Sequence, residues 1–268
     1  MVCFTLSVEK VEGLMLLINL VVVFTMMFLL WLVSLVRRDV SIIDPVWGLG
    51  FIVVAWATCI QSWPVSSRMI LVTVLVTIWG LRLSGYLFWR SIGEPEDARY
   101  AAMRKHHGDR FWWVSLITVF GLQAFLLWLI AFPIQFVGFN ADGASLGWLD
   151  VVGVMLWLVG FFFESVGDWQ LARFRGDPNN RGKVLDSGLW RYTRHPNYFG
   201  DFLIYVSFAL SGAWIWGIFS PIANLGQYFG DALPKNEKKS AERYGTLWSN
   251  YVSTTPVFVP MPFGGKKK

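Results

Sequence analysis

The chain has 268 residues, of which 55% are hydrophobic and only 15% charged, with 22 Phe and 16 Trp. That balance excludes an ordinary soluble domain, which carries far more charge. The net charge of +5 could suggest a nucleic-acid partner, but the placement of the basic residues described below accounts for it as loop charge bias, so no nucleic acid is expected. Cys3 and Cys59 lie far apart and fit no metal or disulfide pattern.

The first apolar run, Leu14 to Val36, ends at Arg37-Arg38. It is too long for a signal peptide and lacks a small-residue cleavage site, so a retained anchor is expected. Val46 to Trp63 and Met69 to Trp89 form the second and third spans, the latter holding Arg82. A polar stretch from Arg90 to Arg110 follows, with Glu94, Tyr100 and the His106-His107 pair. Adjacent histidines diverge on a helix and no third ligand is spaced to help, so no metal is expected. Phe111 to Val137 is a fourth span and Leu149 to Val166 a fifth. After the polar stretch Asp168 to Arg194 comes a sixth, roughly Tyr198 to Trp216. Gly217 to Leu233 is a weak seventh, interrupted by Pro221, Asn224, Gln227 and Asp231.

Each of these runs approaches the roughly 20 residues that cross a bilayer. The expected fold is therefore all-α, a polytopic membrane protein of about seven transmembrane helices forming one integral domain over residues 1–268. With the N-terminus outside, all but three of the 23 Lys and Arg fall on the cytosolic side or in the tail. The exceptions are Lys10, Arg68 and Arg82, and this asymmetry is the orientation rule of membrane proteins. A multi-pass integral membrane location follows: the endoplasmic reticulum in a eukaryote, the inner membrane in a bacterium. The terminal Gly-Gly-Lys-Lys-Lys is only loosely like a retrieval signal and reads equally as a basic, lipid-facing tail.

Three constellations carry chemistry. Glu164 and Asp168 are four residues apart, share a helix face, and precede Arg175; carboxylates there can accept from a carboxamide or ribose, while arginine matches phosphate. An interfacial helix end with ordinary ion pairs explains them as well. The densest stretch is Gly188 to Asp201, with Arg191, Tyr192, Arg194, His195, Asn197, Tyr198 and Asp201 in fourteen residues, preceded by Lys183 and Asp186. Pro196 sets a loop-to-helix transition near Asn197, and a basic helix N-terminus suits phosphate or carboxylate. A basic membrane-surface loop does not explain such a cluster running straight into a span, and a ligand site is favoured. The third set is Glu237, Tyr244 and Tyr251; tyrosines seven apart share a helix face, though an amphipathic surface helix would place them the same way.

Arg194-His-Pro-Asn-Tyr-Phe-Gly-Asp201, with Arg243-Tyr-Gly-Thr-Leu-Trp-Ser-Asn-Tyr251, resembles the C-terminal signature of sterol C14- and C7-reductases. Glu164 to Gly200 resembles steroid 5-alpha-reductases. With Asp44-Pro-Val-Trp-Gly and Trp79-Gly-Leu-Arg-Leu, the whole chain looks most like a related membrane family bearing a steroid 5-alpha-reductase C-terminal domain. The resemblance implies NADPH in a cytosolic-side pocket built from residues 164–268. Glu164 and Asp168 match positions near the nicotinamide and ribose. Arg175 and Lys183 match phosphate contacts, Asn197 a cofactor-binding asparagine, and Tyr244 a tail tyrosine. Arg194, His195, Tyr198 and Asp201 match the sterol-reductase motif, and Glu237 the tail acid.

The implied reaction is hydride transfer to a carbonyl-conjugated C=C bond of a steroid or other lipophilic substrate reached from the membrane lipid. An acid such as Tyr86, oriented by Asp44 or Glu94, would stabilise the enolate. The chain departs from the pattern in two places. Lys235-Asn236-Glu237 stands where sterol reductases have Arg-Asp-Glu, and the Gln-Glu pair of 5-alpha-reductases is missing. Isoprenylcysteine and phospholipid methyltransferases share a similar Arg-His-Pro-x-Tyr-x-Gly turn, which leaves an S-adenosylmethionine-dependent methyltransferase as the alternative. A non-enzymatic lipid-binding relative is a third reading.

Overall fold

In a bilayer, long apolar runs satisfy their backbone groups only as helices or closed barrels. The computed structural model, which describes residues 8–139, 146–212 and 217–261, takes the helical solution and contains no strand among them. Cys3, the terminal lysines and the end of the sixth expected span lie outside the described residues.

The first three runs become α1 (Val8–Arg37), α2 (Ile43–Gln61) and α3 (Ser67–Ser91). Ser66 caps α3 by accepting from Met69 N at 3.2 Å. The polar stretch after α3 is not all loop. It folds into α4 (Ala98–His107), capped by Asp97, which accepts from Arg99 N at 2.9 Å, and stopped at Gly108 with φ +54°.

The fourth run is not one regular helix. It is α5 (Phe111–Ser115), a π-helical stretch Leu116–Gly121, α6 (Leu122–Ile130) and α7 (Phe132–Phe139). Pro133, which has no N–H to give, explains the restart after Ala131. The fifth, α8 (Trp148–Gly176), continues well past Val166, so Asp168 and Arg175 are helical; Arg173 and Arg175 in its last turn complement the helix dipole. Next come α9 (Pro196–Gly212), α10 (Phe219–Gln227), a π-helical turn Tyr228–Ala232, α11 (Leu233–Tyr244) and α12 (Thr246–Thr254).

Five helical stretches among the described residues are long and apolar enough to cross a membrane: 10–37, 43–61, 67–91, 98–130 and 148–176. The last two of the seven expected spans are not among these five stretches of described residues. α9 is 17 residues long and α10 only nine, because the polar residues of the weak seventh run break its apolar length.

The chain forms two compact units, residues 1–147 with 211–217, and residues 148–210 with 218–268. In the first, α2 and α3 touch backbone to backbone. A methyl group on Gly48 would stand 2.6 Å from Gly80 O, and one on Gly80 2.6 Å from Gly48 O, the small-residue contact that lets membrane helices approach closely. Uncharged amides tie the same unit: Asn19 Nδ2 donates to Thr58 Oγ1 (2.8 Å) and Gln135 Oε1 (3.1 Å), and Gln61 Nε2 donates to Asn19 Oδ1 (2.9 Å).

In the second unit, α8 and α9 cross in the same way. A methyl on Gly200 would lie 2.4 Å from both Gly160 O and Glu164 N. This crossing brings the buried carboxylates of α8 beside the first turn of α9.

Candidate functional site

The second unit gathers most of the expected cofactor residues around the loop before α9. Gly188 takes φ +62°, and a side chain there would collide with Gln170, whose Oε1 accepts from Leu189 N at 2.9 Å. Trp190 is buried and donates to Gly167 O at 3.1 Å, fastening the loop to α8. The tail fastens it from the other side. Arg194 N donates to Pro256 O (2.9 Å), Met261 N to Tyr192 O (3.0 Å), Thr193 Oγ1 to Phe258 O (2.8 Å), and Tyr251 OH to Trp190 O.

Arg194, His195 and Glu237 form the polar knot of the unit. Arg194 Nε and Nη2 each reach a Glu237 oxygen at 3.0 Å. His195 Nε2 shares Oε1 at 2.9 Å, and it is the donor because Glu237 is ionised. Burial pushes the Glu237 carboxyl up, but hydrogen bonds from His195 and Arg194 overcome this and hold it below the usual carboxylate range. Arg194 Nη1 donates to Thr255 O just past α12, completing that helix end. All three guanidinium nitrogens are thus engaged inside the unit.

Beyond the knot, His195, Tyr198 and Tyr228 stack in parallel, with centroids 5.4 and 4.5 Å apart. Asn236 Nδ2 donates to Tyr198 OH at 2.9 Å. Asp201 Oδ2 accepts from Asn224 Nδ2 at 3.0 Å and from Tyr228 OH.

Asn197 sits in the first turn of α9. Its Nδ2 donates to Asp168 Oδ1 at 3.0 Å, while its Oδ1 is buried with no hydrogen-bond partner among the described residues. The amide orientation is fixed by this pairing, since only the NH2 end can face a carboxylate. Glu164 and Asp168 are buried on α8, 4% and 6% exposed. Arg175 and Lys183 are exposed and have no side-chain partner among the described residues.

Tyr244 and Tyr251 do not share a helix face. Gly245, with φ +53°, ends α11 and starts α12 between them. Tyr251 is buried, whereas Tyr244 is half-buried under the Arg243 guanidinium, 5.4 Å from its ring centre.

The residues expected to activate a substrate lie in the first unit. Asp44 does not orient Tyr86. Its carboxylate accepts from Tyr100 OH at 2.9 Å and from Arg99 Nη2 at 2.7 Å, and Gln123 Nε2 donates to Tyr100 OH at 3.2 Å. Tyr86 lies between two guanidiniums, those of Arg82 and Arg90, 5.6 and 5.7 Å from its ring centre. Glu94 is exposed, in the turn after α3. Its neighbour Glu96 is the engaged acid, accepting from Arg104 at 2.7 and 2.9 Å.

With this geometry in hand, comparison with known proteins places the chain. A family model described as a protein of unknown function, DUF1295, matches residues 30–255. The chain belongs to that family. An uncharacterized protein of Schizosaccharomyces pombe is 26% identical over 280 residues, covering 91% of this chain and 79% of its own length. A Delta(14)-sterol reductase of Saccharomyces cerevisiae is 33% identical over 131 residues, 44% of this chain and 29% of its own length. One from Arabidopsis thaliana is 28% identical over 121 residues, 40% of this chain and 32% of its own length. The chain thus spans about a third of each sterol reductase it matches.

Against those relatives, the departure at Lys235-Asn236-Glu237 has a structural account. Glu237 makes the ion pair, Asn236 reaches Tyr198, and Lys235 pairs with Asp231. Two polar partners were missed in the sequence, Tyr228 and Tyr100. Ser220, Asn224 and Tyr228 recur every four residues in a weakly apolar run, which is a readable stripe. Nothing local ties Tyr100 to Asp44, 56 residues away.

Proposed function

We propose that this DUF1295 member is a membrane-embedded, NADPH-dependent reductase acting on a C=C bond of a steroid or other lipid-like substrate. The observation that carries this reading is the Asp168–Asn197 pair with its unsatisfied buried oxygen. Buried polar atoms without partners are rare and call for a ligand. A carboxamide N–H or a ribose hydroxyl, both present in a nicotinamide dinucleotide, supplies the missing donor. Arg175 and Lys183, left open in the structure, are the residues that would hold phosphates, and the distant likeness to sterol reductases supports the same chemistry.

Bound there, NADPH supplies a hydride equivalent. The chain's own part is to hold and orient. Asp168 and Asn197 present an acceptor to the cofactor's polar head, and Gly160 and Gly200 let α8 and α9 approach closely enough to place them. The Arg194–Glu237–His195 knot keeps the loop in position. A methyl donor such as S-adenosylmethionine carries no phosphate and leaves Arg175 and Lys183 without a role.

Asn197→Ala is expected to weaken NADPH binding by roughly tenfold, the size of one or two lost hydrogen bonds, with the thermal transition little changed. Titration of the purified variant checks both. Unaltered NADPH affinity, or a variant that does not fold, would make Asn197 a structural cap instead.

A further inference from the structure

The weak seventh run carries polar residues that the reductase reading leaves unused. Ser220, Asn224 and Tyr228 follow one another four residues apart and share one side of α10 and its continuation. The opposite side presents Ile218, Phe219, Ile222 and Phe229, all exposed, as a helix in contact with hydrocarbon does.

On the inner side, Asn224 Nδ2 and Tyr228 OH both bond to Asp201 of α9. Two polar atoms are left over. Asn224 Oδ1 and Ser220 Oγ are buried with no hydrogen-bond partner among the described residues, and their residues are only 5% and 1% exposed. They stand one helical turn apart on the same face. Immediately beyond them the helix widens into the π turn Tyr228–Ala232, a feature concentrated at functional sites.

We infer that Ser220 and Asn224 bind the hydroxyl group of a lipid alcohol. The bond from Nδ2 to Asp201 fixes which way the Asn224 amide points, and Oδ1, being an acceptor, needs a ligand that brings a donor. Ser220 can donate. One alcohol group meets both needs: its O–H donates to Asn224 Oδ1 and its oxygen accepts from Ser220. An ether, ester or ketone has no donor and leaves Oδ1 unpaired, and a phosphate or carboxylate would face the Asp201 carboxylate. In a chain built largely of helices long and apolar enough to cross a membrane, a hydrocarbon body is the matching remainder.

Taking this alcohol as the substrate rests on the reductase reading; its binding does not, and is tested without cofactor. The full chain in lipid nanodiscs is labelled with a photoreactive hexadecanol. Hexadecanol and cholesterol, each beside its methyl ether, then compete. At least one alcohol is expected to compete at roughly tenfold lower concentration than its ether, the scale of the hydrogen bonds that methylation removes. Ser220→Ala, which costs the protein no contact of its own, should fold normally and narrow that ratio at least about threefold.

Equal competition by alcohols and ethers in the unmodified chain, as a site holding only water would give, overturns the inference. So does a ratio unchanged in Ser220→Ala. An intact alcohol preference with no NADPH binding would instead sink the reductase reading alone.

Discussion

Glu237→Ala should destabilise the second unit strongly, costing about 3 kcal/mol of stability. The reason is what it leaves behind. Arg194 and His195, whose side chains are 10% and 9% exposed, would lose their shared partner, and a buried cation without a counter-charge costs more than the pair was worth. Thermal unfolding in detergent should show the fall, and Glu237→Gln, which keeps one acceptor, should lie between.

The same contact sets an acid limit. The folded Glu237 carboxyl sits below its ordinary value of 4.5. Its contribution is therefore complete above that value and is lost as pH falls through the lower folded one. The Gln variant should lack that part of the acid-side decline. An alanine variant as stable as the parent would mean that the knot does not hold the loop.

Arg175→Ala should separate the two nicotinamide dinucleotides. If Arg175 meets the 2′-phosphate, NADPH affinity falls by roughly 10- to 100-fold, the scale of a charge-assisted hydrogen bond, while NADH affinity barely moves. Because Arg175 is exposed and has no side-chain partner among the described residues, stability should be unchanged, which makes the result easy to read. Equal losses for both dinucleotides would remove Arg175 from the 2′-phosphate. No loss for either would leave it a plain helix-end cation.

How legible all this was in the sequence varied with the length scale of each interaction. Run length and hydropathy are local, and they marked α1, α2 and α3. The helical continuation of α8 beyond Val166 was hidden because hydropathy ends where polarity begins, whereas a helix ends only where its backbone bonds do. Gly245 was readable as a stop, yet the seven-residue spacing of Tyr244 and Tyr251 invited one continuous helix across it. The motif around Arg194 stood out as a cluster of charge and aromatic residues. Its partner Glu237 lies 43 residues away, a distance at which pattern gives way to packing. Asp44 shows the same limit: its expected partner was a tyrosine, and it has one, but Tyr100 rather than Tyr86. Asn197 and Asp168, 29 residues apart, could be paired in advance only through family likeness.

Calorimetric titration of the detergent-purified chain with NADPH, NADH and S-adenosylmethionine decides whether the second unit holds a phosphate-bearing nicotinamide cofactor. NADPH should bind, NADH should bind more weakly, and S-adenosylmethionine should give no heat. Binding of S-adenosylmethionine without NADPH would overturn that reading, and would make the Asp168–Asn197 pair and the Arg194–Glu237–His195 knot parts of a methyl-donor site.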